Sequence, residues 1–194
     1  FSTYEDLANP KWKGKLCLRT SKKVYNRSLI ASMIDAYGFD KAKEVVAGWV
    51  SNLTTEVFSN DTNALKAVSS GQCGVTIVNT YYLARLSDDT KYDNLKLFWA
   101  NQDDRGVHVN ISGAGIVKSS KNKEDAQILL EYLSSEKAQD FYASANKEYP
   151  VLDSASVDDS IKGWGDFLED DINVSKLGVL QKEAVFIAQE VGYK

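Results

Sequence analysis

Histidine is almost missing from this chain: His108 is the single one in 194 residues. A Ser-His-Asp or Cys-His centre therefore has one possible base, and no GxSxG, HExxH, phosphate-loop or GxGxxG pattern accompanies it. Gly113-Ala114-Gly115 lacks the third glycine of a dinucleotide loop and reads as close backbone packing. The chain is not expected to be an enzyme. Apolar runs fall short of the roughly 18 residues that span a bilayer. Phe1-Ser2-Thr3 opens without the charged and apolar regions of a signal peptide, so a mature, trimmed or partial chain is expected. Concentrated basic surface is also lacking: 23 Lys and Arg face 27 Asp and Glu, and the lysines are scattered. That excludes nucleic acid as the expected partner and leaves room for a cationic ligand. Cysteine is scarce, with Cys17 and Cys73 outside any CxxC spacing. Each lies in or beside a short apolar run, so a bridge formed in an oxidising compartment and two buried free thiols both remain open.

What is present suits an α/β fold. At 43% hydrophobic the chain can form one large domain or a lobe and a half. Apolar runs alternate with amphipathic stretches, which favours a mainly parallel sheet flanked by helices. The patterns predict strands over 15–19, 73–78 and 96–99 and extended runs over 107–111 and 114–117. Helices are predicted over 26–37, 40–51, from Asp61 to Gly71, over 124–133, from Ser135 to near Asn146, and over 177–191. In the first of these, Leu29, Ile30, Met33, Ile34 and Tyr37 share the inward face. Residues 150–163 read as irregular and acidic, with 153–160 a candidate crossing between lobes.

The dipeptide Tyr81-Tyr82 sets two phenols where a strand hands over to a helix. Consecutive strand side chains point to opposite faces, so the pair shares a ligand only if the backbone has left the extended conformation. Asn79 and Thr80 are good N-cap residues, and Leu83, Arg85 and Leu86 continue at helical spacing. Both phenols thus fall in a first helical turn at the edge of a cleft, where α/β folds present their ligand groups. Tyr25 occupies the matching place after the 15–19 strand. Each tyrosine alone reads as an ordinary packed or surface residue, whereas three at one sheet edge suggest a metal. Phenolate is a hard oxygen donor, and a trivalent cation can deprotonate groups whose free pKa is about 10. Three phenolates neutralise Fe³⁺.

At these residues the chain resembles the ferric-iron-binding periplasmic proteins that serve ABC importers, the FutA/FbpA-like family. The stretches that carry the resemblance are Tyr4-Glu5-Asp6-Leu7-Ala8-Asn9-Pro10-Lys11-Trp12-Lys13-Gly14-Lys15, Val24-Tyr25-Asn26, Gly71-Gln72-Cys73, Asn79-Thr80-Tyr81-Tyr82-Leu83, the loop from Asn101 to Gly106, and His108-Val109-Asn110-Ile111-Ser112-Gly113-Ala114-Gly115. The resemblance implies a class II periplasmic binding lobe, Tyr25, Tyr81 and Tyr82 as ferric ligands, a Cys17–Cys73 disulfide, a periplasmic location and an inner-membrane ABC permease as partner. Arg85 resembles a position that approaches the metal in some members. Because arginine stays protonated, Arg85 and Arg19 are expected to steady a phenolate or a bound anion rather than ligate. Family members carry a further stretch ahead of the Tyr4-Glu5-Asp6 segment that forms most of the amino-terminal lobe and supplies more ligands. Residues 1–110 and 163–194 then correspond to the carboxy-terminal, ligand-binding lobe, and 111–162 to a segment that returns to the amino-terminal lobe. Three protein ligands leave positions for water, an anion or a second chain, and the expectation is a fragment or a chain whose other portion exists separately. The alternatives are a binding component for a small oxyanion held by Arg19, Thr20 and Ser21, or a non-metal interaction module in which the tyrosines are aromatic contacts.

Overall fold

The computed structural model describes residues 2–194. Two short 3-10 turns, Glu5–Ala8 and Pro10–Trp12, lead into Leu16–Cys17 (β1), followed by Val24–Tyr37 (α1), Phe39–Ser51 (α2) and Asp61–Ser69 (α3). Val75–Thr76 (β2) leads to Thr80–Ala84 (α4). After a long connection with one 3-10 turn come Lys123–Leu133 (α5), Glu136–Asn146 (α6), Asp159–Lys162 (α7) and Val174–Glu190 (α8).

The sheet is narrow. β1 pairs in parallel with β2, Leu16 opposite Val75 and Cys17 opposite Thr76. On the other side of β1, residues 53–58 run parallel, with Leu16 bridging Leu53 and Arg19 bridging Phe58. The amides of Thr54 and Phe58 donate to the carbonyls of Leu16 and Leu18 at 2.8 and 2.9 Å. The 53–58 partner carries no clear alternation of its own and was not predicted. A disulfide joins Cys17 to Cys73, whose Cα atoms lie 5.9 Å apart. It ties β1 to the turn that feeds β2.

The expected strand at 96–99 and the extended runs at 107–111 and 114–117 form no ladder. Val107 alone makes a parallel bridge, to Glu169, and residues 111–119 are exposed with no neighbouring strand to pair them. At that bridge Gly106 has φ +93°, and a Cβ there would sit 2.5 Å from the Glu169 carbonyl carbon, so the close approach requires glycine. Trp99 instead stacks on Phe167, ring centroids 4.2 Å apart. Within 150–163, read as irregular, Asp158 caps the short helix α7 by accepting from the Ser160 amide.

The core sits between α1, α2, α8 and β1. Residues 29–34 of α1 are all buried, a wider face than one stripe, because both α8 and α2 pack on this helix. Tyr37, expected inward, is exposed, and its hydroxyl donates to Asp104 at 3.0 Å. α5 and α6 pack on each other. No residue of α5 is buried, and Ile128, Leu129, Tyr132, Phe141 and Tyr142 on this pair stand exposed.

Candidate metal centre

Two strand-to-helix turns bring the three phenols together. Residues 16–20 lead from β1 into α1, whose second residue is Tyr25, and β2 leads into α4, whose second and third residues are Tyr81 and Tyr82. Parallel pairing of β1 and β2 makes both turns leave the same sheet edge. The rings of Tyr81 and Tyr82 lie 4.5 Å apart between centroids, inclined at 40°. The Tyr81 hydroxyl is pushed well above the ordinary phenol range, first by burial, then by hydrogen bonding with Tyr25 and Tyr82 and by the repulsion of their charged forms. Phenols close enough to resist one another's ionisation have converged on one point. A cation accepting the three oxygens turns that repulsion into attraction. Among the described residues no group of three or more His, Cys, Asp or Glu side chains gathers to hold a metal.

Arginine lies against the ring faces. The Arg85 guanidinium carbon is 5.0 Å from the Tyr81 centroid and 5.7 Å from that of Tyr82, while its Nη2 donates to the Asn146 carbonyl at 3.3 Å. Arg19 sits 4.5 Å from the Tyr25 centroid. Such contacts steady ring orientation. Arg19 was expected to reach a phenolate or a bound anion, yet it is only 3% exposed and three of its five N–H groups are engaged inside. Nε and Nη2 donate to Asn26 Oδ1 at 2.9 and 2.6 Å, and Nη1 pairs with the fully buried Asp61. Ser21 Oγ likewise donates inward, to the Tyr193 carbonyl at 2.8 Å, and Thr20 Oγ1 accepts from the Lys22 amide at 3.3 Å. The Arg19 and Ser21 bonds thus turn these donors to the interior, whereas the Thr20 hydroxyl keeps its hydrogen. A cavity of about 290 Å³ beside the phenols is lined by Arg19, Lys23, Tyr25, Ser59, Asn60, Asp61 and Tyr82.

Sequence reasoning missed Asp61 and Asn26, which enclose Arg19, and four further polar residues beside Tyr81. Asn79 is the N-cap of α4 but makes no capping bond, since its side chain turns to Tyr81 and Asn110. His108 Nε2 meets Ser28 Oγ at 2.6 Å. Burial, aided by the positive charge of Arg105, pushes the His108 imidazole down to about 4. The unfolded chain therefore takes up this proton first as pH falls. Stability contributed by neutral His108 is complete above about pH 6.5 and is lost on the way down to about 4, amounting to roughly 3 kcal/mol. Urea midpoints should fall over that window in the parent chain and vary less in His108→Gln; identical pH slopes would refute the assignment.

Helices flanking a small parallel sheet give this chain the α/β fold of the class II periplasmic binding proteins. The model of the bacterial extracellular solute-binding protein family matches residues 2–168, and the chain belongs to that family. It is 43% identical to iron uptake protein A1 of Synechocystis over 199 aligned positions, covering 100% of this chain and 55% of that protein. It superimposes with a TM-score of 0.95 on the Trichodesmium IdiA (FutA) protein in complex with iron and citrate, at 43% identity, covering 100% of this chain and 63% of that one. The ferric binding protein of Campylobacter jejuni gives a TM-score of 0.94 at 34% identity, with coverage of 100% and 63%. The chain spans little more than half the length of the curated relatives it matches. Among the described residues no helix is long and apolar enough to cross a membrane.

Proposed function

We propose that this chain is the ferric-iron-binding portion of the substrate-binding component of an ABC importer. The convergence of Tyr25, Tyr81 and Tyr82 at one sheet edge carries the reading, because three phenolates offer Fe³⁺ hard donors that cancel its charge. Water or a small anion fills the remaining coordination positions, and Arg19 and Arg85 hold the rings from their faces. The cargo is handed unchanged to an inner-membrane permease from the periplasm, and no substrate is chemically converted. The iron named in the relatives' descriptions supports the cargo, and the family's extracellular solute-binding description supports the location. Residues 1–110 and 163–194 form the ligand-binding lobe, and 111–162 returns to the other lobe of a two-lobed protein. The bare apolar side chains of α5 and α6 support that division.

Titration with ferric citrate is expected to raise a visible phenolate-to-iron charge-transfer band. Tyr81→Phe and Tyr82→Phe each weaken the band and lower ferric affinity by at least about tenfold, the equivalent of one lost charged contact. A parent chain that stays colourless, or a Tyr81→Phe, Tyr82→Phe double variant with an undiminished band, overturns the reading.

A further inference from the structure

A run of hydrogen bonds leads from the interior to the Tyr81 oxygen, and its direction can be worked out proton by proton. Asn79 Nδ2 donates to the Tyr81 hydroxyl oxygen at 3.2 Å. Asn110 Nδ2 donates to Asn79 Oδ1 at 3.0 Å. Asn110 Oδ1 accepts from Ser28 Oγ at 2.7 Å. Ser28 has one hydroxyl hydrogen; the Tyr25 carbonyl is farther away at 3.3 Å, and the contact with Asn110 Oδ1, which can only accept, needs that hydrogen. With that hydrogen spent on Asn110, the 2.6 Å contact between Ser28 Oγ and His108 Nε2 requires the imidazole to donate. A neutral ring then carries no hydrogen on Nδ1, and Nδ1 is buried with no partner among the described residues. Every link thus points the same way, toward Tyr81.

We propose that His108, Ser28, Asn110 and Asn79 form a one-directional positioning chain that fixes the Tyr81 phenol oxygen as a hydrogen-bond acceptor and aims it into the cleft. The chain spans three separate parts of the fold: α1 through Ser28, the segment after Gly106 through His108 and Asn110, and the cap of α4 through Asn79. It thereby fixes the two strand-to-helix turns relative to each other at the point where their phenols meet. Asn79 gives up its capping bond to serve it. None of the four needs to touch the cargo, so they are positioning residues. Aligned donors polarise one another, so removing an inner link weakens the outer one. The consequence for ferric capture rests on the function proposed above, whereas the chain itself exists without iron.

The test reads both levels. In iron-free protein carrying ¹³Cζ-tyrosine, Asn110→Asp puts a carboxylate where Asn79 needs a donor. Asn79 must then turn its amide over and present Oδ1 to Tyr81, whose hydroxyl becomes the donor. The Tyr81 Cζ resonance is expected to shift in this variant, with those of the distant, exposed Tyr132 and Tyr142 near their parent positions. In the ferric titration, Ser28→Ala is expected to weaken binding about fivefold, the size of one net hydrogen bond, and to displace the charge-transfer band, while Ser28→Thr, which keeps the hydroxyl, restores both. An unmoved Tyr81 resonance in Asn110→Asp overturns the chain. Loss in Ser28→Ala without recovery in Ser28→Thr assigns Ser28 a packing role and likewise overturns it. A moved resonance in a parent chain that takes up no iron leaves the chain standing and removes the ferric reading instead.

Discussion

Asp61→Asn is expected to lower the unfolding free energy by about 3–5 kcal/mol, the cost of stranding one member of a buried ion pair. Asp61 is fully buried and Arg19 only 3% exposed, so water cannot replace the lost partner. The guanidinium keeps Asn26 on two of its nitrogens but loses the one negative charge it touches. Burial pushes the Asp61 carboxyl up to about 6 against the pull of Arg19, and Oδ1 has no partner among the described residues. At pH 7.5 the carboxylate is nevertheless ionised, and the pair is intact in the parent chain. Loss of the pair also frees Arg19 from beneath Tyr25, so ferric affinity should fall with stability. Urea unfolding at pH 7.5 measures the first effect; a change under about 1 kcal/mol would mean that the pair is solvated in solution. Replacing both partners with apolar residues should cost far less than either single change.

Reducing the Cys17–Cys73 disulfide is expected to remove about 4 kcal/mol, on the chain-entropy relation for a closed loop of this size. For a chain of this length that corresponds to a fall of roughly 8–16 °C in Tm. The bridge joins β1 to the turn that feeds β2, and the turns after these strands carry Tyr25 and Tyr81-Tyr82, so it also restricts how far the two turns can separate. Calorimetry on the parent chain and on the Cys17→Ser, Cys73→Ser double variant tests it. Equal melting temperatures would contradict the assignment.

Helices and the clustering of the three tyrosines were legible in the sequence for different reasons. Helical spacing found α1, α2, α3, α5, α6 and α8 to within three residues at each end, because each carries a periodic apolar face or a start signal such as Asp61-Thr62-Asn63 or Ser135, although the residue that caps α3 is Asn60. The strands were harder. A two-residue ladder has too few side chains to show alternation, so the 53–58 partner of β1 went unseen while 96–99, an apolar run held by ring stacking, was read as a strand. The tyrosines stood out because two adjacent phenols sit beside N-cap residues. Their supporting groups did not, since Asp61, Asn79, Ser28 and Asn110 are ordinary polar residues in sequence. Asn79 was read as a cap from its position alone, and only the fold reveals that its side chain is directed at Tyr81.

Anomalous diffraction at the iron absorption edge, from crystals grown with ferric citrate, tests the central claim most directly. A single iron peak bonded to the hydroxyl oxygens of Tyr25, Tyr81 and Tyr82 is the predicted result. Iron ligated elsewhere, or three phenols that remain hydrogen-bonded to one another with no iron between them, would contradict it.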